Sequence, residues 1–169
     1  MSINVTLDAA EAQRVIDALP RTIFKAQRSA ISTTTTWAKK EMQSRMAIKT
    51  GIPARVFRRF RVVSKRQRDS GLVWVGLNKV KATYVGDLLE EIGGASAGNY
   101  YFEGGFIATM RSGHEGIFKR LGQGRLKIIE QTVNLNLGFE VAEEVAGDAG
   151  RELRARFAAK VLELNPHLQ

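Results

Sequence analysis

Few residues of this 169-residue chain have the types and spacing that chemistry requires. His114 stands two residues after Ser112 and one before Glu115, so it has the neighbours a general base would use. No nucleophile or oxyanion donor can be named beside it, and a histidine in such a turn also makes an ordinary local hydrogen bond. The acids Asp87, Glu90, Glu91 and Glu103 fall in one region and could bind a cation, or form a solvated face that offsets positive charge on a neighbouring subunit. The third feature is the largest. From Lys39 to Arg68 there are eleven Lys/Arg and one acid, Glu41, a net of +10 in a chain whose total is +9. Such a stretch marks a polyanion, a charged subunit interface or a solvated face.

Other templates fail. The chain has two histidines and no cysteine, which excludes disulfides and thiolate metal sites and fits a reducing compartment. Gly122-Gln123-Gly124 lacks the third glycine and the strand-to-helix setting of a dinucleotide loop. There is no phosphate-binding loop, helix-turn-helix, zinc finger or RNA-binding sheet signature. No catalytic residue, cofactor or metal site is assigned. The N-terminus has no signal-peptide pattern, and no stretch approaches the roughly 18 apolar residues of a membrane span. The expectation is a soluble, basic protein, cytoplasmic at synthesis.

The elements that would position these residues form one domain, residues 1–169, of α+β class. Asp8 with Glu11 suggests a helix start, with Ala12, Val15, Ile16 and Leu19 at helical spacing before Pro20. A long helix is expected from Arg21 to Ile48, with Ile23, Ala26, Ala30, Thr34, Trp37 and Ala38 on one face. Thr33-Thr34-Thr35-Thr36 is poor helix material in its middle. Thr50-Gly51-Ile52-Pro53 ends that helix, and Pro53 can begin a short helical turn. Residues 58–133 read as β-rich. A hairpin is expected from 60–63 and 72–77, with Lys65, Arg66 and Arg68 at its tip. Gly93 to Asn99 reads as a mobile small-residue loop that orders on assembly. Three strands near 106–110, 116–121 and 125–129 suit a meander. A C-terminal helix, 138–164, is expected to bury Phe139, Ala142, Val145, Ala146, Ala149, Leu153, Phe157, Val161 and Leu164. Within it, Gly147 and Gly150 either weaken the helix or admit a close neighbour.

The most specific piece runs from Phe106 to Arg120. An aromatic is followed by Met110, a basic residue, Ser112, Gly113, His114, any residue, Gly116, Ile117, Phe118, Lys119 and Arg120. This order resembles the minor tail protein Z family of long-tailed bacteriophages and prophages. Lys25 to Thr33 is similar to the family's opening helix, Ile52 to Val62 to its basic segment, and Leu126 onward to its closing strand and helix. The similarity spans residues 20–165. Two features depart from it: Leu126-Lys127-Ile128 stands where the family has a proline, and residues 1–19 have no counterpart.

The resemblance implies a virion structural protein, a tail-completion or neck component at the head-proximal end of the tail. It would act in head–tail joining without catalysis and without a cofactor. Its partners would be copies of itself in a ring, expected as a hexamer, together with tail tube or terminator and head–tail connector proteins. Genomic DNA would make non-specific contact, and no membrane is involved. The expected location is the virion tail or neck, with the host cytoplasm during assembly. Phe106, Met110, Ile117 and Phe118 are expected as strand core, and Gly113 and Gly116 as turn glycines. Arg55, Arg58, Arg59, Arg61, Lys65, Arg66 and Arg68 would face DNA or a partner. Two other readings stay open: a sequence-independent nucleic-acid-binding protein outside a virion, and a hydrolase using His114.

Overall fold

The computed structural model describes residues 21–122 and 127–164, without the side chains of Arg59 and Phe60. The expected helix at 8–19, the strand start at Arg125-Leu126 and His167 lie outside these residues. Two long helices carry the fold: α1, Arg21–Thr50, and α4, Gly138–Leu164. At 1.5 Å per residue they run about 45 and 40 Å. They are antiparallel, because Lys49 reaches Glu144, Arg45 reaches Asp148, and Arg156 lies over Trp37.

On α1, Ala26, Ala30, Thr34, Ala38, Met42 and Met46 recur every four residues and are all buried, so one stripe faces inward. The threonine run stays helical. Thr33 donates to Ser29 O at 2.9 Å, Thr35 to Ile31 O at 2.7 Å and Thr36 to Ser32 O at 2.9 Å. These back-bonds satisfy the hydroxyls, and packing against α4 offsets the small propensity cost. The helix stops where Gly51 takes φ +65°, the left-handed conformation of a C-terminal cap. Tyr100 Oη donates to the last carbonyl, Thr50 O, at 2.5 Å.

Between the helices, Pro53 precedes the short helix α2, Ala54–Phe60, which buries Phe57 completely and leaves Arg55 and Arg58 exposed. A hairpin forms where one was expected, but shifted: residue 60 ends α2, β1 is Val62–Arg66 and β2 is Gly71–Val75, with Val62 opposite Val75, and Lys65 and Arg66 pair with Leu72 and Gly71 instead of lying in the turn. Gly71 lies so close to Thr35 that a Cβ would collide with its side chain, which seats the hairpin on α1.

The remaining strands are all antiparallel, but they divide into several small sheets rather than one. β3, Val80–Lys81, pairs with β10, Thr132–Val133, and the short helix α3, Ala82–Val85, follows β3. β4, Leu88–Glu91, β5, Gly94–Ala97, and β6, Tyr100–Glu103, form a meander. β7, Gly105–Thr109, β8, Glu115–Arg120, and β9, Ile128–Glu130, form the second, expected one. Gln131 joins two ladders: its N–H bonds Ile117 O at 2.8 Å and its carbonyl accepts from Ala82 N at 3.1 Å. The chain thus changes partner from β8 to β3 within one residue.

Two expectations are corrected. Gly93 to Asn99 is not a mobile loop that waits for assembly: its centre is β5, the middle strand of a sheet, with Ala95 and Ala97 fully buried. Small side chains here let the sheet approach the core. On α4, Val141 joins Ala142, Val145 and Ala149 in the core, whereas Phe139 is 40% exposed and Ala146, Leu153, Phe157, Val161 and Leu164 are only half-buried. Gly138 lies against the side-chain ends of Leu77 and Met46, which would have to shift to admit a Cβ. The core itself gathers Met42, Met46, Ile52, Phe57, Val62 and Val75 with Val80, Val85, Ile117, Leu135, Val141 and Val145.

Candidate functional site

The basic stretch separates into parts with different partners. Arg45 bonds Glu41 at 2.8 Å and Asp148 at 2.6 Å and lies 3.8 Å from Glu144, while Lys49 meets Glu144 at 2.6 Å. The Glu41 and Asp148 carboxylates hold the Arg45 guanidinium above its ordinary pKa, against the smaller effect of desolvation. These two cations tie α1 to α4. Arg61 turns back as well: its Nη1 donates to Asn78 O and its Nη2 to Lys79 O at 3.0 Å. Burial lowers its pKa. Arg61, expected to face DNA or a partner, also clamps the segment after β2.

The others face outward. Arg55 and Arg58 are exposed on α2, which also contains Arg59. Lys65 and Arg66 end β1, and Arg68 lies in the hairpin turn. Arg66 Nη1 donates to Ser32 Oγ at 3.0 Å. Among the described residues, Arg55, Arg58, Lys65, Arg66 and Arg68 form no ion pair.

The motif around His114 folds into the β7–β8 hairpin. Met110 lies just past β7, and its N–H bonds His114 O at 2.8 Å. Gly113, at φ +79°, supplies the positive φ this turn needs. Gly116 does not share that role: it is buried in β8 opposite Ala108, and a Cβ would crowd the Phe118 ring at 3.3 Å. Phe106 faces Phe118 across the ladder, with ring centroids 6.4 Å apart, and Arg120 lies 5.2 Å over Phe106. Ile117 and Phe118 are buried; Phe106 and Met110 are only half-buried, so the strand core is narrower than expected.

His114 meets neither Ser112 nor Glu115. Its Nε2 lies 2.6 Å from Glu130 Oε1, and its ring stands edge-on to Phe118 at 6.4 Å. Glu130 Oε2 takes Lys81 Nζ at 2.9 Å. Burial raises the Glu130 pKa, but hydrogen bonds from Lys81 and His114 outweigh it and hold the carboxyl below its ordinary value. Lys81 is raised in turn by Glu130. This chain joins β3, the β7–β8 turn and β9. Through Glu130, His114 and Lys81 hold these segments together. Lys81 and Glu130 carried no local sequence signal, because their meeting depends on the pairing of distant strands.

Among the described residues, no group of His, Asp and Glu is placed to hold a metal ion, and no helix is long and apolar enough to cross a membrane. Asp87, Glu90, Glu91 and Glu103 are exposed along and beside the β4–β6 sheet. A cleft missed by sequence reasoning lies between α2, the end of β2 and α3. Its volume is about 490 Å³, and Arg55, Arg61, Trp74, Asn78, Thr83 and Tyr84 line it. No protein-family model, curated protein or solved structure matches the chain.

Proposed function

We propose that this chain is a virion structural protein, a tail-completion or neck component that forms a ring at the head-proximal end of a phage tail. The reading assigns it no catalysis and no cofactor. The observation that supports it best is the Phe106 to Arg120 motif, set in the order of opening helix, basic segment, hairpin, closing strand and long C-terminal helix. The helix pair and core are braced internally by Arg45, Lys49 and Glu130, while cations on α2 and the hairpin and acids on the β4–β6 sheet remain free to meet partners. The test is to delete the gene from the phage or prophage that encodes it. Unjoined, DNA-filled heads and separate tails are expected, with joining restored by added protein. Normal infectious particles without the chain would refute the reading.

A second reading, a sequence-independent nucleic-acid-binding protein outside a virion, is favoured by one observation: Arg55, Arg58, Lys65 and Arg68 are exposed and without carboxylate partners among the described residues. It requires that the isolated chain retard DNA with steep salt dependence.

A further inference from the structure

The cleft beside α2 has the composition of a docking site. Trp74 and Tyr84 are 37% and 57% exposed at its wall, large apolar surfaces that a free subunit leaves in water. Arg55 is exposed at the rim. Arg61 is half-buried, with only carbonyl partners for its charge. The Thr83 hydroxyl is buried without a hydrogen-bond partner. An occupant with carboxylates around an apolar tip would cover Trp74 and Tyr84 and meet the charges of Arg55 and Arg61.

Such a tip is present elsewhere on the same chain. Ile92, in the turn between β4 and β5, is fully exposed at 103%. Glu90 and Glu91 precede it. Cross-strand pairing puts Leu89 in line with Ser96 and Tyr101, and Glu91 in line with Gly94 and Glu103, so Leu89, Glu91, Tyr101 and Glu103 share one face. Leu89 is 60% and Tyr101 50% exposed. None of the carboxylates of Asp87, Glu90, Glu91 and Glu103 has a cation partner among the described residues. The tip is held in shape: Tyr101 Oη donates to Ile92 O at 3.1 Å, Gly104 N to Gly93 O at 2.7 Å and Ser96 Oγ to Glu91 at 2.5 Å. A rigid tip loses little freedom on docking.

We infer that the acidic, Ile92-bearing tip of the β4–β6 sheet of one copy docks in the Arg55–Trp74–Tyr84 cleft of the next. Tip and cleft are different surfaces of one chain, so the contact is head-to-tail and repeats from copy to copy until it closes. The inference rests on the ring reading only in taking copies of the chain to associate. Head–tail joining could depend on this protein through other contacts, and this contact could exist in a protein outside virions.

The test uses complementary charge reversal in the full chain, followed by analytical ultracentrifugation. The cleft variant is Arg55→Glu, at a residue that lines the cleft, with Arg58→Glu, exposed nearly one turn further along α2, and the tip variant is Glu91→Arg with Glu103→Arg. The parent chain is expected to form a concentration-dependent oligomer that weakens at high salt. Each variant alone is expected to sediment as a monomer. An equimolar mixture is expected to recover the oligomer, because reversed cleft meets reversed tip and native cleft meets native tip in alternation. Recovery on mixing also shows that both variants are folded. Ile92→Ser in the native background is expected to weaken association about tenfold or more, through lost apolar burial. A parent that stays monomeric, variants that assemble like the parent, or a mixture that stays monomeric would each overturn the inference. So would a dT oligonucleotide that binds the parent and loses affinity on Trp74→Ala while both charge variants still assemble.

Discussion

Arg45 on α1 donates to Asp148 on α4 at 2.6 Å, beside the Lys49–Glu144 pair, across a helix pair whose buried seam is built of alanines, methionines and valines. The most basic stretch of the sequence therefore contributes to the fold before it contributes to any surface. Arg45→Ala is expected to lower stability by about 1 kcal/mol, since a partly exposed ion-pair network is worth little more than that. Denaturant melts in low and high salt check this: the loss should shrink as salt rises. An equal loss at both salts would mean that the side chain acts by packing alone.

Thr34 is buried, and its Oγ1 has no hydrogen-bond partner, unlike the hydroxyls of Thr33, Thr35 and Thr36. It borders a small apolar cavity of about 40 Å³ shared with Met42, Val73, Val145 and Ala149. Thr34→Val keeps the shape and removes an unsatisfied polar group. It is expected to stabilise the chain by about 1 kcal/mol, read as a higher denaturant midpoint with an unchanged slope. A lower midpoint would mean that the hydroxyl has a partner such as an internal water.

Gly147 lies in the interior of α4, exposed, and a Cβ there would meet nothing within 4 Å. Replacing glycine by alanine in an open helix position gains roughly 0.5–1 kcal/mol. Gly147→Ala is expected to raise the melting temperature of the isolated chain. If the glycine instead admits a close neighbour in an assembly, the same variant will be more stable alone and poorer at assembling. Sedimentation of the variant beside its melt separates the two outcomes.

The helices were legible because their signals are periodic and local: Ala26 to Met46 recur at one spacing, and Gly51 and Gly113 stand where the chain needs positive φ. What was not legible depends on distant pairing. Gly94 to Ala97 has a loop's composition, yet it is central because Leu88–Glu91 and Tyr100–Glu103 flank it on both sides. Arg61 and Arg58 look alike in sequence, and only the path of Asn78-Lys79 decides that one is a clamp and the other a surface charge. The cleft joins residues from 55 to 84 on three elements, so no local window contains it.

Glu130 makes the fold pH-dependent in a defined direction. Its pKa is lower when folded than in the unfolded chain, where a glutamate titrates near 4.3. A lowered carboxyl contributes stability that is complete above the unfolded value and is lost as pH falls through the folded value. Between about pH 5 and pH 3 the parent should therefore lose more stability than Glu130→Gln, which keeps the shape and cannot titrate. The comparison is between two melting curves measured at each pH, so other carboxylates cancel. Parallel curves would show that Lys81 and His114 do not favour the charged form.

The hairpin tip offers the sharpest separation of DNA contact from protein contact. Lys65, Arg66 and Arg68 are exposed, and no carboxylate of the described residues meets them. Each phosphate contact contributes a slope of about 0.9 to the fall of log affinity with log salt on duplex DNA. If the tip touches DNA, Arg66→Glu with Arg68→Glu should reduce that slope by about 2 and weaken binding evenly across sequences. Stability should change little, since Arg66 gives up only an exposed hydrogen bond to Ser32. Unchanged DNA affinity together with lost head–tail joining in complemented particles would assign the tip to an acidic protein surface. Normal joining and unchanged affinity would leave these charges with neither role.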